Sequence, residues 1–205
     1  MIAQFVAAQL RRPSGRMGQL FGHLLNRSNR GMNRRAVAHL DVRSGHRLLD
    51  VGFGGGVGID AMFDVSDDIK VDGIDFSETM LSQQQQRMAD GPRAASISLQ
   101  LGDVAALPFE EASFDRVLSV NTIYFWPEPV LGLREICRVL KPGGRLVLGC
   151  ATKQQLEKFP PAQHGFSRYD VGDVAAMLND AGFDGLECAT PGGEAFFFSI
   201  AHRPD

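Results

Sequence analysis

The sequence predicts an α/β domain: a single, doubly wound, mostly parallel sheet with helices on both faces. Two observations carry this expectation. From Arg47 onward, short apolar runs alternate with helical patterns, the rhythm of strand–helix–strand units. The first run, Leu48-Leu49-Asp50-Val51, leads into a loop, Gly52-Phe53-Gly54-Gly55-Gly56-Val57-Gly58, and then a helix start at Ile59-Asp60-Ala61. Glycine lacks a Cβ, so such a loop can turn sharply and lie directly against a ligand. Nineteen residues after Gly56, Asp75 ends a second apolar run, Val71-Asp72-Gly73-Ile74-Asp75. In a strand–loop–helix–strand unit that acid lies near the glycine loop and accepts hydrogen bonds from ribose hydroxyls. Loop and acid together read as a site for a nucleoside-bearing cofactor.

Taken in order, residues 1–45 read as an N-terminal helical cap and residues 46–205 as the core. Met17, Leu20, Phe21, Leu24 and Leu25 form one stripe at helical spacing, and Ala36, Val37 and Leu40 form the inner face of the next helix, ending near Gly45. Between them, Asn26 to Asn33 is a polar run rich in arginine and asparagine. Strands are predicted at 46–51, 70–75, 96–100, 114–119 and 144–149, and helices at 57–65, 77–89, 129–140 and 171–181. The 129–140 helix buries Val130, Leu133, Ile136, Cys137 and Leu140, with Pro142-Gly143-Gly144 as its stop. Asp170 is placed as the N-cap of the last helix, with Asp173 three residues on and Gly182 at its C-terminal end. Leu186 to Ala189 and Glu194 to Ala201 read as two strands around Pro191-Gly192-Gly193. No internal repeat, low-complexity tract or linker suggests a second domain.

Composition narrows the function classes. At 205 residues, with 44% hydrophobic and 22% charged residues, the chain is expected to be a small globular enzyme. Cys137, Cys150 and Cys188 are an odd number without a close pair, so neither a disulfide framework nor a metal site is expected, which suits a reducing cytoplasm. No stretch approaches the roughly 20 apolar residues of a membrane-spanning helix. At the start of the chain the arginines follow the apolar run, the reverse of a secretory leader. The net charge of −3 hides an imbalance, since residues 1–47 hold nine arginines and one acid, Asp41. Either this segment attracts an anionic acceptor or a membrane surface, or its arginines simply solvate outer helix faces. Nucleic acid is not expected as a partner, because no aromatic–basic binding face is visible.

Spacing decides the cofactor. The dinucleotide fingerprint GxGxxG ends on Val57 when started at Gly52 and on Ile59 when started at Gly54, so neither register fits. What fits is Asp50-x-Gly52-x-Gly54-x-Gly56. With Gly73-Ile74-Asp75-Phe76-Ser77-Glu78-Thr79-Met80-Leu81, Gly102-Asp103-Val104, Leu107-Pro108-Phe109, Phe114-Asp115 and Arg138-Val139-Leu140-Lys141-Pro142-Gly143-Gly144, the chain from about Arg47 to Phe183 resembles class I S-adenosylmethionine-dependent methyltransferases of the small-molecule, type 11-like kind. The resemblance implies a Rossmann-like sheet of seven strands whose antiparallel seventh is inserted beside the fifth, N-terminal helices that close over the cofactor, and S-adenosylmethionine as methyl donor. It implies that backbone at Gly52, Phe53, Gly54 and Gly56 passes close to the donor's amino acid part, that Asp50 supports the loop or attracts its ammonium, and that Asp75 accepts from the ribose. Phe76 and Met80 would pack on the adenine, Asp103 and the Val104 N–H would bond its edge, and Asn121 would lie near the methionine portion.

The acceptor side is less sharply written. In open parallel sheets ligands bind beyond the carboxyl ends of the strands, which places Asn121-Thr122-Ile123-Tyr124-Phe125-Trp126-Pro127 toward the acceptor. Tyr124 and Trp126 are candidates to wall the pocket or hold a cation; otherwise they anchor the following helix. His164-Gly165-Phe166-Ser167-Arg168-Tyr169 sits where the resembling family often places a lid, making His164 and Tyr169 substrate candidates and His164 and Tyr124 the catalytic candidates. His23, His39, His46 and His202 have no partner visible in sequence. No Asn-Pro-Pro-Tyr-type motif and no large insertion after the fifth strand is present, which favours a small-molecule or lipid-headgroup acceptor on a monomer or homodimer. Alternatives are a nucleotide-cofactor oxidoreductase and a catalytically silent, cofactor-binding partner subunit.

Overall fold

The computed structural model describes residues 2–11, 29–190 and 195–205. In chain order these form α1 (Ile2–Arg11), α2 (residues 29–40), β1 (Arg47–Val51), α3 (Val57–Phe63), β2 (Lys70–Asp75), α4 (Glu78–Met88) and β3 (Ile97–Leu101). They continue with β4 (Phe114–Val120), α5 (Pro129–Val139), β5 (Leu140–Ala151), the short α6 (Lys153–Glu157), α7 (Val171–Asp180), β6 (Asp184–Ala189) and β7 (Phe196–His202). The seven strands make one sheet in the order β3-β2-β1-β4-β5-β7-β6. β1 to β5 pair in parallel, and β7 runs antiparallel between β5 and β6. The expected topology is observed.

Successive side chains of a strand point to opposite faces, and here both faces are buried. Leu49, Val117, Leu146, Leu148 and Phe197 meet α5 and α7 through Leu133, Ile136, Val174 and Leu178. Their neighbours Leu48, Leu118, Val147 and Phe198 meet α2, α3 and α4 on the other face. Apolar runs with little alternation are the mark of strands covered on both sides, which is why their positions were readable.

Three details bear on how the core and the site are joined. In the polar stretch before Ala36, residues 29–33 are helical. Met32, Ala36, Val37 and Leu40 belong to the same buried cluster as Leu48, Met62 and Leu118. α5 ends at Val139, ahead of Pro142-Gly143-Gly144, because Leu140 turns to extended backbone (φ −68°, ψ 145°) and pairs with Phe114. The residue before a proline is driven out of helical backbone, so Lys141 cannot continue the helix. The last helix is capped as its sequence suggested. Asp170 and Asp173 form a reciprocal capping box, and Gly182 follows the C-cap with φ +92°.

The stripe Met17–Leu25 lies outside the described residues. Among the described arginines of the basic segment, Arg34 pairs with Asp64, Arg43 with Asp41 and Arg47 with Asp72, while Arg35 lies over the Phe196 ring at 5.4 Å. These contacts use the charges on the protein's own surface. No described helix is long and apolar enough to cross a membrane.

Because α2 is a layer of the core, truncating its innermost side chain should be expensive. Leu40 is fully buried, so Leu40→Ala is expected to destabilise the domain by about 2–5 kcal/mol in urea unfolding. A helix merely appended to a finished core would show a small fraction of that loss.

Candidate functional site

β1 and β4 are neighbours in the sheet, yet the chain winds outward from them in opposite directions. That switch point opens a crevice beyond the strands' carboxyl ends. The crevice is a cavity of about 330 Å³, within the usual range for a small-ligand site. Its floor is the loop after β1. Gly54 lines it with φ +47°, a left-handed backbone that disfavours other residues, and a Cβ built there would meet only the Gly52 carbonyl oxygen at 3.9 Å. The Gly54 N–H donates to Asp75 Oδ2 at 2.9 Å, and the Ser77 N–H donates to Asp75 Oδ1 at 2.9 Å. One carboxylate at the end of β2 thus holds both the glycine loop and the start of α4, where Ser77 is the N-cap.

Two carboxyls sit buried in this cavity. Asp75 is 7% exposed and Asp50 4%. Burial raises the pKa of Asp75, opposed by its backbone donors. Asp50 is pushed up to about 7, first by burial and then by the negative charge of Asp75. Among the described residues no hydrogen bond reaches the Asp50 carboxylate.

The other cofactor candidates divide by position. Gly52, Phe53, Phe76, Met80, Val104 and Asn121 line the same cavity. Asp103 does too, while its Oδ1 also accepts the Ala105 N–H at 2.9 Å. Gly56 does not. It caps α3 on the far side of the loop, where a Cβ would lie 2.6 Å from Arg87 Nη2 and 2.7 Å from Gln84 Oε1. Its role is close packing against α4.

On the acceptor side, Phe125 and Trp126 line the cavity. Tyr124, His164 and Tyr169 are placed elsewhere. Tyr124 is buried, 3% exposed, with its hydroxyl donating to Asn121 Oδ1 at 3.2 Å and accepting from the Ala151 N–H. Burial pushes its pKa well up. It braces β5 against the loop after β4. The segment after α6 packs through Phe166, whose ring meets Phe125 at 4.6 Å and Tyr124 at 6.1 Å. His164 is exposed, and Tyr169 is half-buried against the core cluster that includes Val174 and Leu178.

Sequence reasoning missed two cavity residues, Asn29 and Asn33. Asn29 Oδ1 accepts from Asn121 Nδ2 at 3.3 Å, and Asn33 Nδ2 donates to the Asn29 carbonyl at 3.0 Å. Their signal was the four-residue spacing, in phase with Ala36, Val37 and Leu40 on one helix face.

Switch-point cavity, glycine loop and paired strand-end acids define a nucleoside-cofactor domain of the doubly wound class. Comparison with known proteins narrows this. A methyltransferase-domain family model matches residues 49–148. The methyltransferase YdaC of Bacillus subtilis, itself uncharacterized, is 28% identical over 166 residues, 81% of this chain and 87% of its own. The demethylmenaquinone methyltransferase of Deinococcus radiodurans is 36% identical over 134 residues, covering 65% of this chain and 52% of that protein. Phosphoethanolamine N-methyltransferase 2 of Haemonchus contortus, solved with S-adenosyl-L-methionine, has a TM-score of 0.73 at 18% identity, covering 85% of this chain and 53% of that one. That last likeness concerns the fold alone. The chain therefore spans most of YdaC and about half of the other two. Residues 49–148 thus match a methyltransferase domain, and the chain is similar to class I S-adenosylmethionine-dependent methyltransferases.

Gly54→Val tests the loop. A branched side chain at φ +47° is expected to cost about 1–3 kcal/mol of stability and to lower affinity for S-adenosylhomocysteine at least tenfold by calorimetry. Normal binding by a folded variant would show that the ligand does not lie on this loop.

Proposed function

We propose that this chain transfers the methyl group of S-adenosylmethionine to a small-molecule acceptor. One observation carries the reading: every charged side chain lining the cavity, among the described residues, is an acid, namely Asp50, Asp75 and Asp103. A dinucleotide brings a diphosphate, which would face two buried carboxylates with no cationic side chain to offset it. S-adenosylmethionine brings an ammonium and a sulfonium, and its ribose diol suits Asp75, whose oxygens each keep a lone pair beyond the loop bonds. The close approach of helix to strand falls at Gly58, against Asp50, one residue past where a dinucleotide fingerprint started at Gly52 would put it.

When bound, the cofactor supplies a methyl group on a positively charged sulfur, a leaving group already activated. The chain's own part is to hold both reactants in line and exclude water, an orientation worth roughly 7–11 kcal/mol in favourable cases. The glycine loop, Asp50 and Asp75 fix the donor end. Phe53, Phe76 and Met80 hold its apolar base. Asn121, Thr122, Phe125 and Trp126 wall the other end, where a small acceptor would meet the methyl group. Tyr124 and His164 lie off the cavity and are given no proton transfer.

Parallel titrations of S-adenosylmethionine, S-adenosylhomocysteine and NAD test this directly, with the first two expected to bind and NAD not. Binding should also depend on pH through Asp50. Below about 7 its carboxyl is protonated in the free protein, and a cationic ligand favours the ionised form. Affinity should fall up to tenfold per pH unit below 7 and level off above it, with a proton released on binding. Stronger NAD binding would favour the oxidoreductase alternative, and tight S-adenosylhomocysteine binding with no turnover on a broad acceptor panel would favour a silent subunit.

A further inference from the structure

The glycine loop is held from two sides. Toward the cavity, Asp75 accepts the Gly54 N–H at 2.9 Å. Away from it, the loop closes on Gly56, whose N–H donates to the Phe53 carbonyl at 2.7 Å and whose carbonyl accepts from the Asp60 N–H at 3.0 Å. Behind Gly56 stands Arg87, in the last turn of α4. Its Nη1 and Nη2 donate to the two carboxylate oxygens of Asp60 at 3.0 and 3.1 Å, and its Nε donates to Gln84 Oε1 at 2.7 Å. Asp60 lies in the first turn of α3. One guanidinium thus joins α4 to the start of the helix that the loop feeds.

A planar guanidinium bonded through three of its nitrogens has little freedom left, so the gap beside Gly56 has a fixed width. A Cβ built on Gly56 would stand 2.6 Å from Arg87 Nη2 and 2.7 Å from Gln84 Oε1. Gln84 is itself buried, at 5% exposed. Gly56 lies at φ +73° and ends the turn that begins at Phe53, a residue of the cavity lining. Asp60, Gln84 and Arg87 lie off the cavity. The Arg87 and Asp60 side chains are 44% and 53% exposed, and ion pairs so exposed add little to stability. What this pair supplies is geometry: the distance between α3 and α4 where the loop passes between them.

We propose that Arg87 is a positioning residue for the methyl donor, setting the course of the glycine loop from behind and with it the seat of the donor's amino acid part. The proposal rests on S-adenosylmethionine being the cofactor. The adenosine part is referred to other elements, since Asp75 ends β2 and Phe76 and Met80 lead into α4. Loss of the guanidinium should therefore loosen one end of the ligand and spare the other.

The test uses the full chain and two ligands in calorimetric titration: S-adenosylhomocysteine and 5′-methylthioadenosine, which lacks the amino acid part. Arg87→Met, which keeps the apolar stem, should weaken S-adenosylhomocysteine by about fivefold or more and 5′-methylthioadenosine by less than about twofold. Asp60→Ala removes the same clamp from α3 and should give the same pattern, so the test does not hang on one variant folding. Gly56→Ala and Arg87→Met should not be additive, because the added methyl group displaces the same guanidinium. The double variant should bind S-adenosylhomocysteine within about threefold of Gly56→Ala alone. The proposal is overturned if Arg87→Met or Asp60→Ala binds S-adenosylhomocysteine as wild type does, or weakens both ligands equally, the sign of a structural role only. Additive losses in the double variant overturn it as well. Failure of wild type to bind either ligand would remove the cofactor assignment itself, and this proposal with it.

Discussion

Two carboxylates buried side by side at the end of a parallel sheet are the constraint on which the site depends. The β1–β2 register puts Asp50 opposite Gly73 and Val51 opposite Ile74, so Gly52, the first residue past β1, comes level with Asp75, the last of β2. The Gly52 N–H donates to the Ile74 carbonyl at 2.7 Å, and Asp75 then takes the Gly54 N–H. Asp50, one strand over, is left with like charge for company. Acids whose pKa values are raised by folding help stability only at low pH, and that help is gone once the pH passes their folded values, near 7 for Asp50. At neutral pH the chain therefore carries an electrostatic cost at this one place. Functional sites are where such costs are tolerated, and a bound cation would relieve it.

What tolerates the cost is a sheet covered on both faces. The cluster of α2, α3 and α4 on one side and that of α5 and α7 on the other bury strand residues on alternate positions from β1 to β7. α2 ties this core to the site. Ala36, Val37 and Leu40 anchor it to the sheet, and the same face, continued toward the helix's N-terminal end, presents Asn33 and Asn29 to the cavity. One stripe is apolar over the sheet and polar over the crevice, so packing of the former sets the position of the latter.

This explains what could be read from the sequence. Strand positions were legible to within a few residues because buried parallel strands are nearly continuous apolar runs, and the glycine loop and Asp75 were legible because their geometry demands those residue types. The asparagines were not, because nothing in a polar run singles them out: their place at the cavity is set by the phase of α2 against the sheet. Gly56 illustrates a subtler loss: its residue type announced a backbone requirement, but whether a ligand or Arg87 fills the space beside it depends on α4, some thirty residues on. Tyr124, open in the sequence between pocket wall and anchor, could not be decided for a similar reason. The direction of its ring is decided by Asn121, Ala151 and Phe166 together, and no local pattern records that agreement.

The distribution of charge completes the picture. Among the described residues, α2 brings basic side chains near the acidic cavity yet turns Arg34 and Arg35 away from it by helical phase. Arg34 points to Asp64 and Arg35 lies on Phe196, away from the acids of the crevice, while Asn29 and Asn33 occupy the inner face. Exposed ion pairs of this kind add little stability. Had one of these arginines faced inward, it would have neutralised Asp50 permanently and removed the reason for a cationic ligand to bind. Among the described residues, neutral asparagines at the inner positions leave the strand-end carboxylates without a basic partner, an arrangement in which a cationic ligand would be favoured by what the lining omits.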